Sequence, residues 1–350
     1  MNNNISKNIT SYTDICINIY PFYKKYISTS ISVSNVILNM INVFIFVKLI
    51  QNNKIKKNKG DFYTYLMLKS IADGYFGIRF CFADFIDKGL FNSNLKSTSF
   101  ILIVLYLIFM IYFGFVAQLI SKITECFACF DRFIVLIPSQ QNKNRKLIKI
   151  LYISSIMFSF LFYTFKFFQF QIVQINEPNS TVTFYRVSAD SRNTQLFKYI
   201  GFIHSFLRDF LSVLISFCFN LFTLFIVKKS TNNRRQLSSS KSVTSLSVSS
   251  RIERLERAEF KIILMITFST IIAVIGHWSI FLSYLPIDSM IFKNYCFQTF
   301  TSGLFYEIAY GGNFIIYLIF NTRFRAILLE LLHIRSGTDY KRESTTKTLF

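Results

Sequence analysis

The feature that most limits how this chain can fold is its succession of long apolar runs. A helix needs about 20 apolar residues to cross the roughly 30 Å hydrocarbon core of a bilayer. Runs of that length recur at about 27–50, 62–86, 98–132, 147–169, 197–227, 261–285 and 298–320. Inside lipid each backbone N–H and C=O must be satisfied within the protein, so such runs form helices. The expected fold class is an all-α membrane protein, a seven-transmembrane helix bundle. The third run is longer than a bilayer requires, which predicts a tilted helix with one end projecting beyond the membrane. Composition agrees: 52% of the 350 residues are hydrophobic and only 16% charged, and a water-soluble fold could not hide that much Phe, Ile and Leu.

Residues 321–334, from Asn321 to Ile334, read as a short amphipathic eighth helix lying on the membrane surface. The expected organisation is an extracellular N-terminus at 1–26, a seven-transmembrane domain at 27–320, the surface helix at 321–334 and a cytoplasmic tail at 335–350. Residues 1–26 are polar, with no apolar core before a small-residue cleavage site, so the first span is expected to act as its own insertion signal.

A formal net charge of +21 would ordinarily raise nucleic acid as a partner. Here the cations collect between spans, which is the pattern of the positive-inside rule. Lys54, Lys56, Lys57 and Lys59 fill the first loop, and Lys143, Arg145 and Lys146 the third. Lys228, Lys229, Arg234 and Arg235 begin the fifth, and Arg323 and Arg325 follow the last span. These alternate segments are expected on the cytoplasmic side. The glycosylation sequons at Asn4, Asn8 and Asn179 all fall on the opposite side. The expected placement is a multi-pass protein of the plasma membrane, N-terminus outside and C-terminus inside, with the bilayer and not nucleic acid as its surroundings. The serine-rich loop at 228–258 is either a target for phosphorylation or a solvated linker.

Several polar residues inside the apolar runs carry further information. Asn313 and Tyr317 lie four apart, on one helical face, just before the basic segment Asn321-Thr322-Arg323-Phe324-Arg325. Lipid offers such a pair no partner, so it must face protein. Asp131-Arg132-Phe133 stands at the end of the third run, where an adjacent acid and Arg can switch between local pairing and docking a partner. Asp73 is an intramembrane carboxylate, and Trp278, the only Trp, lies midway through the sixth run beside His277. In order and spacing these marks resemble those of rhodopsin-like seven-transmembrane G-protein-coupled receptors, over about residues 27–334. The departures from that pattern resemble those of the divergent nematode serpentine chemoreceptor families. Phe314 replaces a proline, Phe133 a Tyr, and Leu107 the cysteine at the top of the third span; the loop at 170–196 has no cysteine. Cys16, Cys81 and Cys296, all expected outside, are the residues from which a replacement bridge could be drawn.

The resemblance implies a cell-surface chemosensory receptor that binds an extracellular ligand and activates a heterotrimeric G protein. Asp131, Arg132, Phe133, Asn313 and Tyr317 would form the coupling switch, with Glu259 near the position of an acid that locks the Arg. Asp73 would meet Asn42 (or Asn39) and Asn313, with a sodium ion among them. Gln118, His277, Tyr306 and Glu307 would line the ligand pocket, with Trp278 beneath. Glu307 has two readings, as a binder of a cationic group or as the partner of His277 or another helix. Gly114 and Gln118 stand where amine receptors carry an Asp, so an amine ligand is not expected. A neuropeptide ligand is the alternative within the class. An ion channel or transporter is the alternative outside it, with Asp73, Glu307 and Arg208-Asp209 along a conduction path. The chain has no glycine-rich phosphate loop and no nucleophile–base constellation, so catalysis is not expected; Cys126-x-x-Cys129 lacks a second ligand pair for a metal.

Overall fold

The computed structural model describes residues 23–54, 61–87, 99–135, 145–176, 183–189, 194–240, 260–261, 264–265, 267–278, 281–282 and 302–332. The sequons at Asn4, Asn8 and Asn179, together with Glu259, Cys16, Cys296 and the tail, lie outside the described residues.

The described parts of the predicted apolar runs are mostly helical. A π-helical turn at Tyr23–Ser28 leads into α1 (Thr29–Lys54), followed by α2 (Phe62–Asp87) and the long α3 (Phe100–Val135). Next come α4 (Arg145–Phe162) and a helical turn at Phe165–Gln169. Helix α5 comprises Thr194–Ser205, a π-helical turn at Phe206–Leu211 and Ser212–Ser240. The chain then forms α6 (Thr267–Trp278), α7 (Ser302–Phe320) and α8 (Thr322–Leu331). Four of these segments are long and apolar enough to cross a membrane: Tyr26–Asn52, Phe100–Val135, Lys146–Gln169 and Gln195–Lys229. Thr267–Trp278 and Leu304–Phe320 are shorter apolar helices, and the 26-residue α2 carries Lys69, Asp73 and Arg79 within its length. The outer faces fit lipid better than water. Phe44 is 64% exposed, Ile101 68%, Leu161 67% and Phe225 67%, a perimeter that a soluble protein would not leave uncovered. The fold is that of a mainly helical protein suited to a membrane.

Two segments differ from the sequence-based expectation. The fold is not purely α: β1 (Phe170–Asn176) and β2 (Thr183–Ala189) pair antiparallel, Phe170 opposite Ala189 through Asn176 opposite Thr183, within what was expected to be a loop. Ile172 pairs with Val187 and Ile175 with Phe184, the β-branched and aromatic types that suit a pleated surface. Tyr185 meets Phe100 edge-on at 5.5 Å, which seats the hairpin over the start of α3. Helix α5 also runs on to Ser240, beyond the end of its apolar run at 227. Adding residues to an existing helix is cheap, and Lys, Arg and Gln are good helix formers.

Helix α3 is central, packing against α2, α4 and α5, while α7 packs on α1. Its buried face is strongly polar, with Gln118, Ser121, Lys122, Thr124 and Glu125. The largest apolar core lies at the α8 end, where Phe46, Tyr65, Leu66, Met265, Tyr317 and Phe324 are buried together. Asn321 breaks the helix between α7 and α8: its backbone is extended, and its side-chain oxygen accepts from Phe324 N–H at 3.1 Å, an N-cap. The cap aims Phe324 at Phe46, Tyr317 and Phe314, with centroids 5.6, 5.7 and 5.8 Å away. Phe314, where the resembling family has proline, therefore packs the junction of an unbroken α7.

Candidate functional site

Two buried polar networks lie in the bundle, one nearer the hairpin and one nearer α8. Asp209 is the hub of the first. The π-helical turn of α5, in which Ser212 N–H bonds the carbonyl of Leu207 five residues back, presents both Arg208 and Asp209 to the interior at 4% and 0% exposure. Asp209 Oδ1 accepts from Arg208 Nε at 2.8 Å and lies 2.7 Å from His277 Nδ1. Its Oδ2 accepts from Arg208 Nη2 at 2.5 Å and from the Ser205 hydroxyl at 2.9 Å. Arg208 Nη1 donates to Gln118 Oε1 on α3. On α7, Tyr306 and Tyr310 set their rings edge-on to His277 at 4.8 and 5.6 Å, and the Tyr310 hydroxyl donates to that of Tyr306 at 3.2 Å. Side chains from α3, α5, α6 and α7 thus gather around the Arg208–Asp209–His277 group. The close approach of α6 to α7 depends on Gly276, where a Cβ would lie 2.6 Å from Ala309 Cβ and 2.8 Å from Phe305 O.

The second network joins α2 to α3. Lys69 Nζ donates to Asp73 Oδ2 at 2.8 Å and lies 3.5 Å from Glu125; Lys122 Nζ donates to Glu125 Oε2 at 3.0 Å. The Ser121 hydroxyl donates to the other oxygen of Asp73. Two ammonium groups and two carboxylates therefore balance in a buried interior, where an unpaired charge would cost several kcal/mol. Tyr310 links the networks, since Lys122 Nζ lies 5.5 Å from its ring and the Asn39 side chain donates to its carbonyl at 3.4 Å. A cavity of about 30 Å3 bordered by Lys69, Glu125, Ser269 and Tyr317 has room for a water or two.

Among the expected pocket residues, Gln118, His277 and Tyr306 come together around Asp209. Glu307 and Trp278 do not. Glu307 faces the start of the chain's first helix, where the hydroxyl of Ser28, in the π-helical turn, donates to its Oε1 at 2.7 Å and the Asn35 side chain of α1 to its backbone carbonyl at 2.9 Å. Trp278 is 36% exposed and stacks on Phe210 at 5.7 Å. Successive helical residues point about 100° apart, so with His277 inward Trp278 must turn outward. A groove of about 370 Å3 between α3, α4 and α5, lined mainly by apolar residues such as Leu119, Phe127, Phe158 and Ile215, also borders Ser155 and Ser212.

The expected grouping of Asp73 with Asn42 and Asn313 is replaced by other partners. Asn42 bonds Asn39 at 3.4 Å, and Asn313 accepts from Ser269 on α6 at 2.7 Å and donates to Ala309 O at 3.4 Å. The residues at Asp73 do not fit a sodium ion, because the Lys69 ammonium already supplies the neutralising cation and Ser121 holds the second oxygen. At the α8 end, the Arg132 guanidinium lies over the Phe62 ring at 3.7 Å, Phe133 meets Phe219 of α5 at 5.8 Å, and Tyr317 meets Phe46 at 5.3 Å. Asp131 is buried beside them.

Sequence reasoning missed Lys69, Lys122, Glu125 and Tyr310. A usable signal existed for the charges: Lys69 precedes Asp73 by four residues and Lys122 precedes Glu125 by three, the spacings that pair on one helix face. Tyr310 carried no such mark. No protein-family model matches the chain, and no curated protein matches it.

Proposed function

We propose that the chain is a seven-helix chemosensory receptor of the plasma membrane, N-terminus outside, that binds an extracellular ligand and activates a heterotrimeric G protein. The observation that carries this reading is the Asp209 hub, where side chains from α3, α5, α6 and α7 meet and connect through Tyr310 to the charged network below. A ligand that favours one arrangement of Asp209, Arg208 and His277 shifts α6 against α7, and supplies only its differential affinity for the two arrangements. Arg132, over Phe62 at the far end of α3, is the group that would change partner when α6 moves. The intramembrane charges also favour a switch over a conduction path. Lys69, Asp73, Lys122, Glu125, Arg208 and Asp209 are closed on one another at 2.5–3.5 Å, whereas permeation residues face a water-filled route.

The test is ligand-dependent G-protein activation in cells, with a panel of small odorants and amidated peptides and with Arg132→Ala as control. The expected result is activation that Arg132→Ala abolishes while surface expression persists. Ligand-evoked current that survives removal of all G proteins would overturn the receptor reading in favour of a channel.

A further inference from the structure

Among the described residues, three buried cations of the bundle each lie beside an acid. Lys69 has Asp73, Lys122 has Glu125 and Arg208 has Asp209. The buried Lys166, in the turn that leads from α4 to the hairpin, and the half-buried Arg79 on α2 do not. Arg79 CZ lies 4.5 Å from the centroid of Phe115, and Lys166 Nζ lies 4.1 Å from the same centroid. The two charges are thus no further apart than the sum of those distances. Neither contacts a carboxylate among the described residues; the polar partner of Lys166 is Gln169 Oε1 at 2.7 Å. Arg79 reaches this place because Gly114 has no side chain: a Cβ there would lie 2.4 Å from Arg79 Cδ. Lys166 Nζ also lies 4.9 Å from the Phe165 ring and 5.9 Å from that of Phe170, but ring faces replace only part of an ion's hydration and do nothing against the repulsion between like charges.

Two further groups point the same way. His204 is 5% exposed and Tyr163 is fully buried. Their rings lie 5.1 Å apart, and those rings lie 5.4 and 5.8 Å from Phe115. His204 Nε2 and the Tyr163 hydroxyl have no hydrogen-bond partner among the described residues. Buried polar atoms are nearly always partnered, so each such orphan calls for an explanation. Two uncompensated cations and two unused polar groups around one aromatic ring are what an anion with an apolar body would complete.

We propose that Arg79, Lys166, His204 and Tyr163 form the recognition site for an organic carboxylate with an aromatic or aliphatic body. The inference deepens the receptor reading, on which it rests, by naming the class of its ligand. Arg79 offers the bidentate fork that fits a carboxylate, Lys166 a second charge, and the Phe115 ring an apolar floor. A lipid phosphate is the other source of an anion here. Lys166 at 6% exposure and His204 at 5% are enclosed by protein, which favours a small molecule entering between helices over a bulky headgroup.

The full chain in phosphatidylcholine nanodiscs is titrated with acetate, hexanoate, decanoate and phenylacetate, and with the matching neutral amides. Binding is read from Trp278 fluorescence and from the melting temperature. At least one carboxylate is expected to bind ten-fold or more tightly than its amide, and Arg79→Gln and Lys166→Gln are each expected to weaken it ten-fold or more. Both substitutions relieve like-charge repulsion, so the unliganded melting temperature should hold or rise, which separates lost binding from lost fold. Equal affinity for acid and amide would overturn the inference. So would carboxylate binding unchanged in both variants, or no soluble carboxylate binding while added phosphatidylglycerol stabilises the protein through Arg79 and Lys166. Carboxylate binding without G-protein activation would leave this site standing and remove the receptor reading; activation by uncharged ligands alone, with no carboxylate bound, would do the reverse.

Discussion

Replacing Lys69 with Met deletes the ammonium that lies 2.8 Å from Asp73 and 3.5 Å from Glu125, while leaving a side chain of similar length. Asp73 keeps its bond from Ser121 and Glu125 keeps Lys122, but two carboxylates then share one cation in an interior where both are at least nine-tenths buried. Breaking a buried pair from one side costs about 3–5 kcal/mol, because the remaining charge stays desolvated and unpaired. Removing both sides is different. In Lys69→Met/Asp73→Asn the amide oxygen still accepts from Ser121, and Lys122–Glu125 is left as a balanced pair, so the cost should drop to within about 1 kcal/mol of the parent. Asp73→Asn alone should be intermediate, since Lys69 retains Glu125 at 3.5 Å. The measurement is the apparent melting temperature of the purified full chain in one detergent at one heating rate, following the fraction that remains monodisperse. The expected order is parent, double variant, Asp73→Asn, Lys69→Met, from most to least stable. A double variant as unstable as Lys69→Met would refute the charge-balance reasoning, as would Lys69→Met melting with the parent.

Three further outcomes are expected. Gly276→Val places a side chain where backbone and Ala309 leave 2.6–2.8 Å, so it should cost about 1–3 kcal/mol by overpacking and lower ligand response, read as melting temperature and signalling; a silent substitution would contradict the close α6–α7 approach. Asn321→Ala should lose the cap on Phe324 N–H, costing about 1 kcal/mol, with faster amide exchange across α8 as the readout and unchanged protection there as the contrary result. Exchanging sodium for choline at constant ionic strength should leave the parent's melting temperature unchanged, because Lys69 fills the cation's role at Asp73; a sodium-specific rise in the parent would place an ion there after all.

How legible these features were depends on how local their causes are. Apolar runs announced where helices lie, though not that α5 continues to Ser240, and the amphipathic segment after Asn321 announced α8, because length and composition act within a segment. The segment at 170–189 was legible only after the fact: Ile172, Val173, Phe184 and Tyr185 suit strands, yet short β-prone stretches pair only where a partner and a packing surface such as Phe100 are supplied. In the site, Asp73 stood out as a costly intramembrane charge, and its partner four residues earlier on the same helix was within reach of the same logic.

What the amino-acid order determined by itself was where helices form and which residues are too polar to face lipid, since both follow from backbone satisfaction and transfer energy along one segment. Only the tertiary structure decided which polar groups meet. His277 and Trp278 are neighbours in the chain, and one faces Asp209 while the other faces outward. Glu307 turned to Ser28 in the π-helical turn before α1, and Asn313 to Ser269 on α6. Each choice depends on how far a helix is rotated and raised against others distant in sequence, and a few degrees of rotation exchange one buried partner for another without changing any local preference.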